Sequence, residues 1–163
     1  YVDYCNVIDL DDKNQEALRF RAYICMRRRQ YQDARNDYQR LLEAIPGEKT
    51  ARIGMAMANQ KLNRHRESLE EFNRLIVDYP QDVSLLKARA ELEVEMNTLE
   101  LALLDLESAV KLAPNDAEIY VMCGDIYIAQ GRNREAYRAF ENAIELGVPR
   151  PELQDRLKAS KKK

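Results

Sequence analysis

Glycine and proline are scarce in this chain of 163 residues, with five of each. An all-β fold spends those residues on its turns, so their scarcity argues against one. Histidine is scarcer: His65 stands alone. A histidine-based metal cluster or a Ser-His-Asp triad therefore has no second candidate to draw on. Cysteine is limited to Cys5, Cys25 and Cys123, an odd and widely spaced set. It suits neither a disulfide framework nor the paired ligands of a zinc site, and each thiol is expected as a small buried apolar group. An excess of one charge is also missing, since 26 basic and 28 acidic side chains leave a net charge of −2. That gives no basic surplus for displacing counterions from nucleic-acid phosphate. No apolar run approaches the roughly 20 residues that span a bilayer. The five glycines are scattered, so no phosphate-cradling loop exists. No cofactor, metal or nucleic-acid partner is indicated and no membrane span, and the chain reads as a non-enzyme. The compartment stays open, with a lean towards the cytoplasm.

What the chain has in quantity is helix-forming residues. Leu, Ala, Glu, Arg and Lys dominate, and these lose little side-chain freedom in a helix. At 45% hydrophobic and 33% charged it is ordinary for a folded protein. It opens at Tyr1 rather than Met, inside what reads as a helix, so an upstream stretch is expected.

Self-similarity organises the rest. Pro46, Pro80 and Pro114 are each 34 residues apart. On the same ruler fall two small-residue columns, Ala22/Ala56/Ala90/Gly124 and Ala34/Ser68/Ala102/Ala136. A bulky column, Tyr38/Phe72/Leu106/Phe140, is followed by Leu41/Leu75/Ala109/Ala143. Several columns in one register, over four units without a gap, define a helix-hairpin repeat. Asn14, Asp82 and Asp116 are good N-caps for a first helix, while Glu48 in the same column is not one of the favoured types. In the second helix Ala136, Phe140, Ala143 and Ile144 make one apolar stripe at i, i+4, i+7 and i+8. The proline then stops that helix. Small columns mark close approach of the two helices, and a lone hairpin cannot bury its stripe, so neighbours must stack.

Tyr120, Cys123, Gly124, Tyr127, Ala136, Phe140, Ala143 and Pro149 resemble the tetratricopeptide repeat signature of aromatic, Leu-Gly, Tyr, Ala, Phe, Ala and Pro. Cysteine stands for leucine, and the proline is one residue late. The resemblance implies an all-α, right-handed α-solenoid of antiparallel helix hairpins. Its units are 15–48, 49–82, 83–116 and 117–150. Residues 1–14 read as the second helix of a truncated repeat, with Tyr4 and Val7 in bulky columns. Residues 151–163 read as a C-terminal capping helix and basic tail, with Leu153 and Leu157 facing inward. Arg21 and Arg89 replace the usual leucine, and Asn59 and Glu93 the usual tyrosine. Arg89 and Glu93 are expected to pair along one helix, and the middle units to pack less tightly than the ends.

Other clusters have structural readings. His65 falls at an interhelical turn, where packing or solvation is expected. Glu91, Glu93 and Glu95 point in different directions on a helix and read as a solvated face. Arg27-Arg28-Arg29 suits a helix C-terminus. Lys161-Lys162-Lys163 reads as a frayed tail.

In the family this chain resembles, first helices line a groove that holds a peptide or partner helix. The matching faces here are Arg19, Tyr23, Met26 and Arg27; Ile53, Met57, Gln60 and Lys61; Lys87, Glu91, Val94 and Glu95; and Val121, Asp125 and Ile128. Basic groups gather towards the N-terminal half of this series and acidic groups towards the C-terminal half. The expectation is a protein or peptide partner with an acidic end over the first units and apolar anchors at Met57 and Val121. The lysine- and asparagine-based carboxylate clamp of chaperone-docking family members does not carry over. Its positions hold Arg19, Tyr23, Gly54, Ser84 and Ala88, and only Arg19 keeps the required charge. The alternative is a structural module that associates end to end through Tyr4, Val7 and Ile8.

Overall fold

A computed structural model describes residues 14–161, and every regular element among them is helical. In order these are α1 (Gln15–Arg27), α2 (Tyr31–Ala44), α3 (Lys49–Lys61), α4 (His65–Asp78), α5 (Val83–Glu95), α6 (Leu99–Leu112), α7 (Ala117–Ala129) and α8 (Asn133–Glu145). A 3-10 turn (Arg150–Leu153) then leads into α9 (Gln154–Ala159). Of the stretch 1–14 expected as a helix only Asn14 is described, and Tyr4, Cys5, Val7 and Ile8 lie outside the described residues, as do Lys162 and Lys163. The chain divides into two compact units, Tyr1–Pro80 and Gln81–Lys163.

Local chemistry sets the hairpins. Each first helix begins behind a residue in extended backbone whose side chain accepts a free N–H of the first turn. Asn14 accepts from Ala17 at 2.9 Å, Asp82 from Ser84 at 3.0 Å and Asp116 from Glu118 at 3.0 Å. Glu48 does the same from Ala51 at 2.9 Å, so its longer side chain still reaches the N–H. At the other end the chain reverses through a residue of positive φ: Arg29 (62°), Asn63 (58°), Asn97 (60°) and Gly131 (71°). The next N–H returns to the carbonyl five residues back, Gln30 to Cys25, Arg64 to Asn59, Thr98 to Glu93 and Arg132 to Tyr127, all at 2.8–2.9 Å. This closure satisfies helix-end carbonyls that would otherwise be orphaned. Ile45, Tyr79 and Ala113 then leave helical backbone just before the three prolines.

In the first unit α1 packs on α2, α2 on α3 and α3 on α4. Its core includes Leu18, Ala22, Cys25, Ala34, Tyr38 and Leu41, with Met26 and Met55 leaning on it. Gly54 is where α3 passes the Tyr38 ring: a Cβ there would sit 2.2 Å from the ring carbon that bears the hydroxyl. Burial in this contact pushes the Tyr38 phenol up to about 12. In α4, the Ser68 hydroxyl donates to the Ala56 carbonyl at 2.7 Å, which lets a polar residue occupy a small buried column.

In the second unit α5 packs on α6, α6 on α7, α7 on α8, and α9 on α8. Leu153 and Leu157 are buried with Ala136, Phe140 and Ala143, and Val121, Tyr127 and Ile128 lean on this cluster. The segment after α8 thus adds two leucines to the unit's apolar packing.

One pairing expectation is corrected. Arg89 does not pair with Glu93 through a hydrogen bond; its guanidinium forks onto both oxygens of Asp105, at 2.5 and 2.6 Å. Arg21 does the same to Asp37 at 2.5 and 2.7 Å. The planar fork matches a carboxylate on the facing helix better than it matches one a turn away on its own. Glu93 instead points inward at 6% exposure, and its Oε2 has no hydrogen-bond partner. Burial, with Asp105 adding to it against the pull of Arg89, raises its carboxyl to about 7. Asn59, in the same repeat column, is buried but accepts from Arg35 at 2.8 Å. His65 begins α4, with Nε2 buried and no hydrogen-bond partner.

Candidate functional site

The fifteen sequence-selected positions come to different ends. In the first unit Tyr23 and Met57 stand out at 59% and 41% exposure, and Arg27 and Lys61 are exposed beside them at the ends of α1 and α3. Ile53 is half-buried. Met26 leans on the core, and Gln60 is buried. Arg19 donates to Glu48 at 3.1 Å, so the residue that caps α3 also neutralises the most N-terminal cation of the face.

In the second unit, Lys87 donates to Asp116 at 3.0 Å and also pairs with Glu118. Burial pulls its pKa down, but the hydrogen bonds with Glu118 and Asp116 outweigh that and leave it above the ordinary lysine value. Val121 and Ile128 lean on the cluster closed by Leu153 and Leu157. Asp125 accepts from Arg156 of α9 at 2.6 and 3.0 Å, and this hydrogen bonding holds the guanidinium pKa up. The sorting of charge along the face therefore overstates what a partner meets, because Arg19, Lys87 and Asp125 are already answered from within the chain.

Four selected residues do converge. Glu91, Val94 and Glu95 of α5 and Asp125 of α7 line one cavity of about 340 Å³. Its apolar part comes from Val94 with Leu99, Met122, Ile126 and Ala129, and its charge is wholly acidic. The last four were missed by sequence reading. Helix α7 (AEIYVMCGDIYIA) is apolar on nearly every side, so periodicity could not separate the Met122–Ile126–Ala129 face from the buried ones. Spacing at i, i+4 and i+7 was the available signal.

No group of three or more His, Cys, Asp or Glu among the described residues is arranged to hold a metal ion. No helix among them is long and apolar enough to cross a membrane.

Repeated hairpins with these caps and turns define a helical-repeat protein. Two tetratricopeptide repeat models match, over residues 26–92 and 117–146, which together span more than half of the chain. The chain belongs to the tetratricopeptide repeat family. Among solved structures, a tetratricopeptide repeat protein from Parabacteroides merdae ATCC 43184 is 28% identical with a TM-score of 0.78, and the match covers 98% of this chain and 62% of that one. This chain thus corresponds to less than two thirds of that relative's length. MamA is 19% identical (TM-score 0.77; 88% and 84% covered). YrrB, described as a tetratricopeptide protein with an unusual peptide-binding site, is 17% identical (TM-score 0.76; 98% and 80% covered). The last two share the fold with this chain. No curated protein is recognisably similar in sequence.

Proposed function

We propose that this chain is a non-catalytic protein-interaction module, and that the second unit seats an apolar partner side chain flanked by lysine or arginine. The cavity between α5 and α7 carries the reading. Val94, Leu99, Met122, Ile126 and Ala129 offer an apolar floor, and the carboxylates of Glu91, Glu95 and Asp125 stand at its edge, Asp125 already held by Arg156. An apolar residue between basic ones satisfies both requirements: its side chain leaves water while its neighbours complement the rim. A volume of about 340 Å³ is at the small end of ligand sites, which suits one side chain rather than a whole small molecule. The anchor assigned from sequence to Val121 moves to this cavity, since Val121 itself leans on the capped cluster.

The exposed Tyr23, Met57, Arg27 and Lys61 face of the first unit supplies a second contact area of opposite charge. It suits the acidic part of a partner, as the sequence suggested, through the exposed Arg27 rather than through Arg19.

Fluorescence anisotropy with labelled Lys-Leu-Lys and Glu-Leu-Glu peptides tests the cavity. The basic peptide should bind at least tenfold more tightly in low salt and lose that margin as salt rises. Ala129→Trp, at an exposed position on the cavity wall, should abolish binding by filling the space. Equal affinity for the two peptides, or indifference to Ala129→Trp, sinks the assignment.

A further inference from the structure

The four hairpins serve as controls for one another, and one helix surface departs from the rest. Leu101 and Leu104 of α6 are exposed, at 51% and 57%. The positions matching Leu101 hold Asp33, Glu67 and Glu135, and those matching Leu104 hold Asn36, Glu70 and Arg138. Water-facing polar residues in three hairpins have become leucines in one. Folding of the hairpin does not require them there.

A hole lies one turn further along the same helix. Glu107, Val110 and Lys111 of α6, with Tyr127, Cys123 and Ala139 of α7 and α8, line a cavity of about 460 Å³. Its origin is again visible by comparison. Where hairpins one and three place Arg21–Asp37 and Arg89–Asp105, hairpin four has Cys123 and Ala139. Two small side chains stand where a long ion pair would run. The Cys123 thiol, pushed by burial up to about 11, is neutral and adds only apolar surface.

Knobs and hole share one helix: Leu101 and Leu104 in its N-terminal half, the cavity edge in its C-terminal half. We propose that a second copy of this chain docks here, with the two α6 helices antiparallel about a two-fold axis at the level of Leu106. Such an interface is isologous, so each copy must offer both halves of the fit. In this register Leu101 and Leu104 of one copy face residues 111 and 108 of the other, and residue 111 lines the cavity. Glu100 comes opposite Leu112 of the second copy, one residue from Lys111. Glu100 also accepts from Gln130 at 3.3 Å, and a carboxylate has room for both donors. The contact runs along about 20 Å of helix, so the dimer is a weak, concentration-dependent one.

Sedimentation equilibrium over a broad concentration range reads the association. Leu101→Glu with Leu104→Glu should weaken it by about 100-fold. That variant reproduces the Glu67 and Glu70 surface of hairpin two, so folding is retained. Cys123→Met, the residue at the matching position of hairpin two, should fill the hole and weaken association by about tenfold with the leucines intact. Lys111→Glu should cost about fivefold, and Glu100→Lys in the same chain should restore most of it. A monomer throughout the range overturns the proposal. So does a dimer indifferent to the double leucine variant, which would place self-association on another surface.

Discussion

Hairpins one and four have the same backbone and opposite interiors. In the first, Arg21 crosses to Asp37 and ties α1 to α2 through two hydrogen bonds. In the fourth, Cys123 and Ala139 leave a cavity at the equivalent place. Hairpin three follows the first pattern with Arg89 and Asp105. The repeat backbone thus tolerates either a polar lock or open space at this point, provided the small columns and the bulky Tyr38 or Phe140 stay in place. Fold identity rests on the shared columns, and the difference between hairpins is free to become a site.

The comparison is broken most severely by removing one member of the lock. Asp37→Ala removes the carboxylate that accepts two hydrogen bonds from the Arg21 guanidinium, and urea denaturation should show a loss of about 3 kcal/mol. An Ala139 substitution of similar size in hairpin four meets no such partner. Next in size is Gly54→Ala, whose new methyl collides with the Tyr38 ring and should cost about 2 kcal/mol in the same assay.

Glu93 sharpens the comparison between the middle hairpins, because Asn59 in the matching column is hydrogen-bonded and Glu93 Oε2 is not. Its carboxyl titrates near 7 in the fold against 4.5 ordinarily, so between those values the folded chain holds the extra proton. Glu93 therefore makes stability fall as pH rises through this window. From pH 5 to pH 8 the decline should be between about 1 and 2 kcal/mol, and Glu93→Gln should remove it in thermal or urea melts compared at the two pH values. The smallest effect concerns the turns. Arg29 adopts a left-handed backbone that Gly131 occupies without strain in hairpin four. Arg29→Gly should raise stability by about 0.5 kcal/mol, net of the entropy glycine adds to the unfolded chain.

Much of this was legible in the residues. The 34-residue columns gave the hairpins, the prolines gave the ends of three second helices, and Asn14, Asp82 and Asp116 gave the starts of three first ones. Glu48 was undervalued as a cap, since rules drawn from short side chains pass over glutamate. The groove face was legible only in part, because register identifies which residues lie on one side of a helix but not what covers them. Met26, Gln60, Val121 and Ile128 share the register of Tyr23 and Met57, yet neighbouring side chains occupy them. Arg89 shows the same limit: one helix suggested Glu93, and the facing helix supplied Asp105.

By itself, then, the sequence determined the repeat, its caps and its stops, because those depend on interactions between residues close along the chain. Tertiary structure alone decided which charges were already answered, where Met122, Ile126 and Ala129 opened onto a cavity, and how two small side chains left a hole beside exposed leucines. Those outcomes depend on distances between residues about 16 to 34 apart in sequence, which helical periodicity does not encode.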